Sequence, residues 1–249
     1  MSYVRVTSVD SAIVGENGEM RRLALALLLA FTFTGLAVTA HAAPIPPKLE
    51  GKYVTSIPTK QKLVALTFDA GANADAVDSI LATLKRENLP ATFFLTGNWV
   101  QHYRKQTKRI AERGYTLGNH TWNHPYVTKI SSTSFKQELD TTNAIIERVA
   151  GRASTPWFRF PYGAHVQKNV RDANAFGYVP IGWTEDAAGW LGTSGGMSVK
   201  KVTARVMAAI KPGAIILMHC GSNPKDHSTL DADALPGIID RLQAMGYSF

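Results

Sequence analysis

The chain has a single cysteine, Cys220, among 249 residues. It cannot form a disulfide within itself, and no Cys-rich zinc site is possible. It lacks the GxGxxG fingerprint of dinucleotide folds, any phosphate-binding glycine loop, and the HExxH pair of zinc peptidases. Charge is sparse: 18% of residues are charged and 45% are hydrophobic, which excludes a disordered polymer. The length suits one domain of roughly 200 residues.

Residues 23–40 carry no charge at all. Arg21 and Arg22 precede this apolar run, and Ala40-His41-Ala42 follows it. A basic patch, an apolar run and a small-x-small site predict a secretory signal peptide cleaved after Ala42. The run is also about as long as a membrane span, so an uncleaved anchor is the alternative. Met20 opens the usual form of such a signal, which makes residues 1–19 an upstream extension. Removing residues 1–42 takes away three basic and three acidic residues, so the +8 balance stays with the mature chain. For an exported protein, an anionic wall polymer is a better target for that charge than nucleic acid. Solubility alone would also account for it.

Residues 43–59 are rich in proline and read as a linker. Beyond them, short apolar strands alternate with helical stripes. Strands are expected at 63–68, 91–95, 115–118, 157–160, 178–181 and 214–218. Helices are expected at 74–86, 100–113, 135–150, 199–210 and 235–245. Strand then helix, repeated about seven times, means a parallel sheet with helices outside. Without a dinucleotide fingerprint, a distorted (β/α) barrel of about seven parallel strands is favoured over a Rossmann sheet. In such barrels chemistry gathers at the C-terminal strand ends. Asp69, His120, Arg159, Asp186 and His219 all fall there.

Each has a bland reading beside the functional one. His120 and His124 are four apart, so on a helical turn both imidazoles would share a face and reach one metal. Two such histidines are equally at home on a surface. Asp69 could cap the next helix, but Asn73 is better placed to do so, leaving Asp69 free. Arg159 could hold a carboxylate ionised, or form a structural salt bridge. His219 could be a core residue, or an acid whose tautomer Asp186 fixes.

Five ordered motifs over residues 60–249 resemble the polysaccharide deacetylases of the NodB-homology type, carbohydrate esterase family four. They are TFDAG (67–71), HTWNH (120–124), RFPYG (159–163), WTEDAAGW (183–190) and LMH (217–219). The resemblance implies Asp69 as general base, tethered by Arg159. It implies His120 and His124 as ligands of a divalent metal, zinc by preference. It implies His219 as general acid partnered by Asp186, the Tyr162 backbone as an oxyanion donor, and Leu217 and Trp190 as acetyl-pocket walls.

Two positions depart from the family pattern. Ala70 stands where a metal-binding aspartate is usual. Water, Asn73, Asp75 or Asp78 could fill that place, Asp69 could swing to the metal, or binding could be weak. Gly189 replaces the second acid of the fourth motif. The expected activity is removal of acetyl groups from an N-acetylglucosamine polymer such as peptidoglycan or chitin, by a secreted monomer at the cell envelope. The alternatives are an O-acetyl xylan esterase and a wall-binding protein of the same fold with weakened catalysis. Trp99, Trp122, Tyr126, Trp157, Trp183 and Trp190 are candidates for stacking on sugar rings.

Overall fold

The computed structural model describes residues 45–249; the expected signal peptide and upstream extension lie outside the described residues. Seven strands form one sheet: β1 (Val64–Ala70), β2 (Thr92–Leu95), β3 (Thr116–Asn119), β4 (Trp157–Phe158), β5 (Val179–Pro180), β6 (Glu185–Asp186) and β7 (Ala214–His219). Their order is β5-β4-β3-β2-β1-β7-β6, and every pairing is parallel. β5 and β6 are the two edges, so the barrel is curled but open.

Around the sheet lie α1 (Val77–Arg86), α2 (Gly97–His102), α3 (Arg104–Glu112), α4 (Ser132–Ala150), α5 (Gln167–Ala175), α6 (Val199–Ala209) and α7 (Leu230–Ala244). β1 shows how the layers arise. Its even residues Val64, Leu66, Phe68 and Ala70 join the main core together with Val77, Ile80, Leu81 and Leu84 of α1. Its odd residues turn to the other face, because successive side chains alternate. Each fully buried aliphatic side chain contributes about 1.5–3 kcal/mol relative to exposure.

The expected elements are there, with three differences. The helix expected over 100–113 is two, broken at Tyr103, whose backbone (φ −110°, ψ 50°) is not helical. α5 and β6 had no strong apolar pattern and were not anticipated. The expected linker is fastened to the barrel: Val54 bridges Ile181 beyond β5, and Ser56 bridges Ala214 at the start of β7. Among the described residues no helix is long and apolar enough to cross a membrane.

Candidate active site

β1 and β7 run in parallel register with Asp69 opposite His219. Both side chains open into a cavity of about 530 Å³ at the C-terminal strand ends. His120, His124, Tyr162, Trp183, Asp186, Trp190 and Leu217 also line it. Every candidate site residue except Arg159 is thus on its wall. Arg159 lies beneath, fully buried.

The floor is an ion pair. Arg159 Nη1 donates to Asp69 Oδ1 at 2.7 Å. Its Nη2 donates to Thr67 Oγ1 and the Gly182 carbonyl, each at 3.0 Å, and its Nε donates to the Ile181 carbonyl at 3.2 Å. The guanidinium also lies 4.1 Å from the centre of the Phe94 ring. A buried pair is tolerable only when its remaining donors are satisfied like this. Burial alone would raise the Asp69 carboxyl; the Arg159 charge and the nearby imidazoles outweigh it and hold Asp69 below its ordinary value.

His120 and His124 meet by a different route from the one expected. Residues 120–124 are a loop after β3, not a helical turn. Thr121 (φ 66°) and His124 (φ 57°) are left-handed, a rare conformation for such residues, costing of order 1–3 kcal/mol each. Side chains hold the loop in place. Asn119 Oδ1 accepts from Thr121 N at 3.0 Å, and Thr121 Oγ1 accepts from His124 N at 3.1 Å. Glu138, from α4, accepts from Trp122 N, Asn123 N and Asn123 Nδ2 at 2.7–2.8 Å. Glu138 was not anticipated, since nothing in its own helix marks it.

His120 Nδ1 contacts the Arg159 carbonyl at 2.8 Å, so the proton sits there and Nε2 presents a lone pair. The two Nε2 atoms are 3.1 Å apart. Zinc–nitrogen bonds of about 2.0–2.1 Å in tetrahedral geometry put neighbouring ligands at about this separation. Burial pushes His120 below its ordinary value, and burial with the His120 charge pushes His124 down to about 3, so both imidazoles are neutral, as ligands must be. The pair therefore fits two positions on one divalent metal.

A third ligand is not in place. Among the described residues no group of three or more His, Cys, Asp or Glu is arranged to hold a metal. Asp69 Oδ2 comes within 3.4 Å of His120 Nε2 while its other oxygen is held by Arg159. Ala70 does not line the cavity; its methyl lies in the apolar layer with Phe68. The other named substitutes are engaged elsewhere. Asn73 Oδ1 accepts from Ser222 N, Asp75 accepts from Ser222 Oγ, and Asp78 pairs with Arg109.

The partner of His219 is Asp231, not Asp186. Asp231 Oδ2 accepts from His219 N at 2.8 Å and lies 3.3 Å from its Nδ1. Asp186 is turned away: its oxygens accept from Ala188 N at 2.8 Å and Trp190 Nε1 at 3.1 Å. It therefore positions the indole rather than the imidazole. Burial opposes a charged His219, but its hydrogen bond to Asp231 and the charges of Asp231, Asp69 and Asp186 raise it above its ordinary value. Asp231 was missed because α7 was expected to begin at 235, just before Pro236. The helix in fact starts at Leu230, with Pro236 inside it. The acidic first turn, Asp231 and Asp233, was the available signal.

The rim is aromatic. Trp190 is half exposed, its ring centre 6.2 Å from that of His219. Tyr162, left-handed at φ 61°, points its ring outward to stack on Tyr126 at 4.1 Å and meet His124 edge-on at 4.5 Å. Leu217 is buried in the wall. Trp99, by contrast, is core, 1% exposed, and unable to meet a sugar. Cys220, beside His219, is buried and its thiol is pushed well above its ordinary value by burial.

Comparisons with known proteins identify the family. Residues 56–181 match the family model described as polysaccharide deacetylase. A peptidoglycan-N-acetylglucosamine deacetylase of Bacillus cereus is 34% identical over 197 residues, 79% of this chain and 69% of that protein. A solved peptidoglycan N-acetylglucosamine deacetylase superposes with a TM-score of 0.72 at 34% identity, covering 79% of this chain and 89% of the other. A CE4 family pseudoenzyme from Bacillus anthracis superposes with a TM-score of 0.70 at 30% identity, covering 84% and 66%. A mutant of that pseudoenzyme, described as having restored enzymatic activity, gives the same TM-score. With half the chain matched by the family model and the five motifs brought to one cavity, the chain belongs to the polysaccharide deacetylase family.

Proposed function

We propose that the chain is a metal-dependent hydrolase that removes acetyl groups from the N-acetylglucosamine units of a polysaccharide such as peptidoglycan or chitin. Export by residues 20–42 and action at the cell envelope, as a monomer, are part of this reading. The observation that carries it is the placing of Asp69 and His219 side by side on β1 and β7, one held below its ordinary value and the other raised above it.

Amide hydrolysis needs a base for the attacking water and an acid for the leaving nitrogen. Asp69, kept ionised by Arg159, takes the water's proton. His219, whose protonated form its acidic neighbours favour, delivers one to the amine. Its Nδ1 faces Asp231, which leaves Nε2 for the substrate. Leu217 and Trp190 shape the acetyl pocket, and the Tyr162 backbone N–H serves as the oxyanion donor. His120 Nε2 and His124 Nε2 would hold a divalent metal, zinc suiting two nitrogen donors, and it would supply Lewis acidity toward the acetyl carbonyl. Tyr162, Tyr126 and Trp190 offer flat faces to sugar rings.

Ala70 favours a second reading, a deacetylase-fold protein that binds wall polymer and turns it over weakly, because it contributes no carboxylate to the His pair. One experiment separates the readings: acetate release from chitin oligomers, peptidoglycan and acetylxylan, with and without chelator, alongside metal content. Chelator-sensitive release from the first two supports the N-deacetylase. Release from acetylxylan alone makes it an O-acetyl esterase. No release and no bound zinc leaves the binding protein.

A further inference from the structure

Gly189 and Asp231 occupy one place. A Cβ built on Gly189 would stand 2.1 Å from Asp231 Oδ1, 2.5 Å from its Cγ and 2.7 Å from its backbone N. Real Cβ atoms do not approach other atoms so closely, so any side chain at 189 would displace the Asp231 carboxyl and press on the first turn of α7. That carboxyl is 3% exposed and fully engaged. Oδ1 accepts from Gly189 N at 3.0 Å, while Oδ2 accepts from His219 N and faces His219 Nδ1. The missing side chain at 189 is thus what gives α7 access to His219.

We infer that Asp231 is the positioning residue of His219, and that it reaches the imidazole from α7 through the space left by Gly189. Positions 189 and 231 are then two mounts for one carboxylate, of which this chain uses the second. Asp231 fixes the ring by three contacts: the backbone N–H of His219, its Nδ1, and the Gly189 N–H that anchors the carboxyl itself. The consequence for chemistry rests on the deacetylase reading, since it assigns the proton of His219 to the leaving amine. The placement of the carboxyl does not depend on that reading.

The charged and titratable groups facing His219 are Asp231 from α7, Asp69 from β1 and Asp186 from β6, with His120 and His124 across the cavity. Of the three acids, only Asp231 touches the imidazole. Asp69 is held by Arg159, and Asp186 by Ala188 and Trp190.

The test uses the purified full chain and reads the His219 imidazole by NMR titration, its signal identified with His219→Gln, together with thermal melting. Asp231→Asn keeps the shape and removes the charge. Its His219 midpoint should fall by about one pH unit or more; an unchanged midpoint overturns the inference. Gly189→Ala should lower the melting temperature more in the parent than in an Asp231→Gly background, where only the approach to the backbone of residue 231 remains. Equal losses in both backgrounds overturn the shared space. The exchange variant Gly189→Asp/Asp231→Gly should bring the midpoint back to within about half a unit of the parent. A folded exchange variant without that return overturns the two-mount reading, and so does one that fails to fold. These readouts need no turnover. Absent acetate release would count against the deacetylase reading and leave the titration result standing.

Discussion

His120 and His124 stand on one side of the cavity and His219 on the other. All three are histidines in one pocket, yet their surroundings drive them apart. The pair sits in the loop after β3, the end of β1 turns only a methyl, Ala70, to the core side, and the imidazoles are neutral. His219 has Asp231 against its Nδ1 and two further acids nearby. Carboxylate is thin on the side of the pair and plentiful on the side of His219. The placing of acids, more than the identity of the histidines, sorts a ligand from an acid.

Breaking the link between the two sides should have the largest effect. Asp69 lies between them, 3.4 Å from His120 and opposite His219 in the strand register. Asp69→Asn should lower acetate release by about 10²–10⁴-fold, the range for a lost general base, with bound metal little changed. Near-parental release would remove Asp69 from that role. Arg159→Met should hit folding as well, by about 3–5 kcal/mol in denaturant titration, because it leaves the Asp69 carboxylate buried and unpaired. A variant as stable as the parent would show that the pair is not needed to hold the floor together.

Adding acid to the poor side should narrow the contrast. An Ala70→Asp carboxyl would enter an apolar layer, so the metal-free variant should melt below the parent. Zinc should then raise its melting point more than it raises the parent's, corresponding to affinity tighter by about tenfold or more. An identical zinc response would mean that position 70 does not reach the imidazoles.

The pH dependence of stability should show the two sides tilting in opposite directions. His124 folds with its pKa lowered to about 3, so the unfolded chain binds the extra proton. In metal-free protein that contribution is lost as pH falls below about 6.5 toward 3. His219 folds with its pKa raised, so its contribution is full below about 6.5 and is lost as pH rises through the folded value. Urea titrations across that range should flatten on the acid side in His124→Gln and on the alkaline side in His219→Gln. If either substitution leaves its limb unchanged, that assignment fails. The smallest effect belongs to the rim: Trp190→Ala should raise KM for oligomers about tenfold with a lesser change in kcat, since half the ring faces solvent.

Legibility in the sequence followed the length of the apolar pattern. β1 and β7 are runs of seven and six residues with long apolar stretches, so their ends, and with them Asp69 and His219, were readable. β6 has two residues and no such run. His120 and His124 do come together, but not for the reason their spacing suggested. HxxxH suggested a helical turn, whereas two left-handed residues and Glu138 bring the rings together. Glu138 stayed hidden because the pattern of its own helix is satisfied without it, and Asp231 because α7 was expected to begin four residues after it. A charge that serves another element leaves no periodicity behind.

β1 is an interior strand, with β2 on one side and β7 on the other. Thr67 Oγ1 donates to the Ile216 carbonyl across 149 residues of chain. The central pairing therefore cannot form until nearly the whole domain has been synthesised. Such high contact order makes for slow, late folding. Asp69 meets His219 only in that last step, so a truncated or half-made chain holds Asp69 with no His219 opposite it.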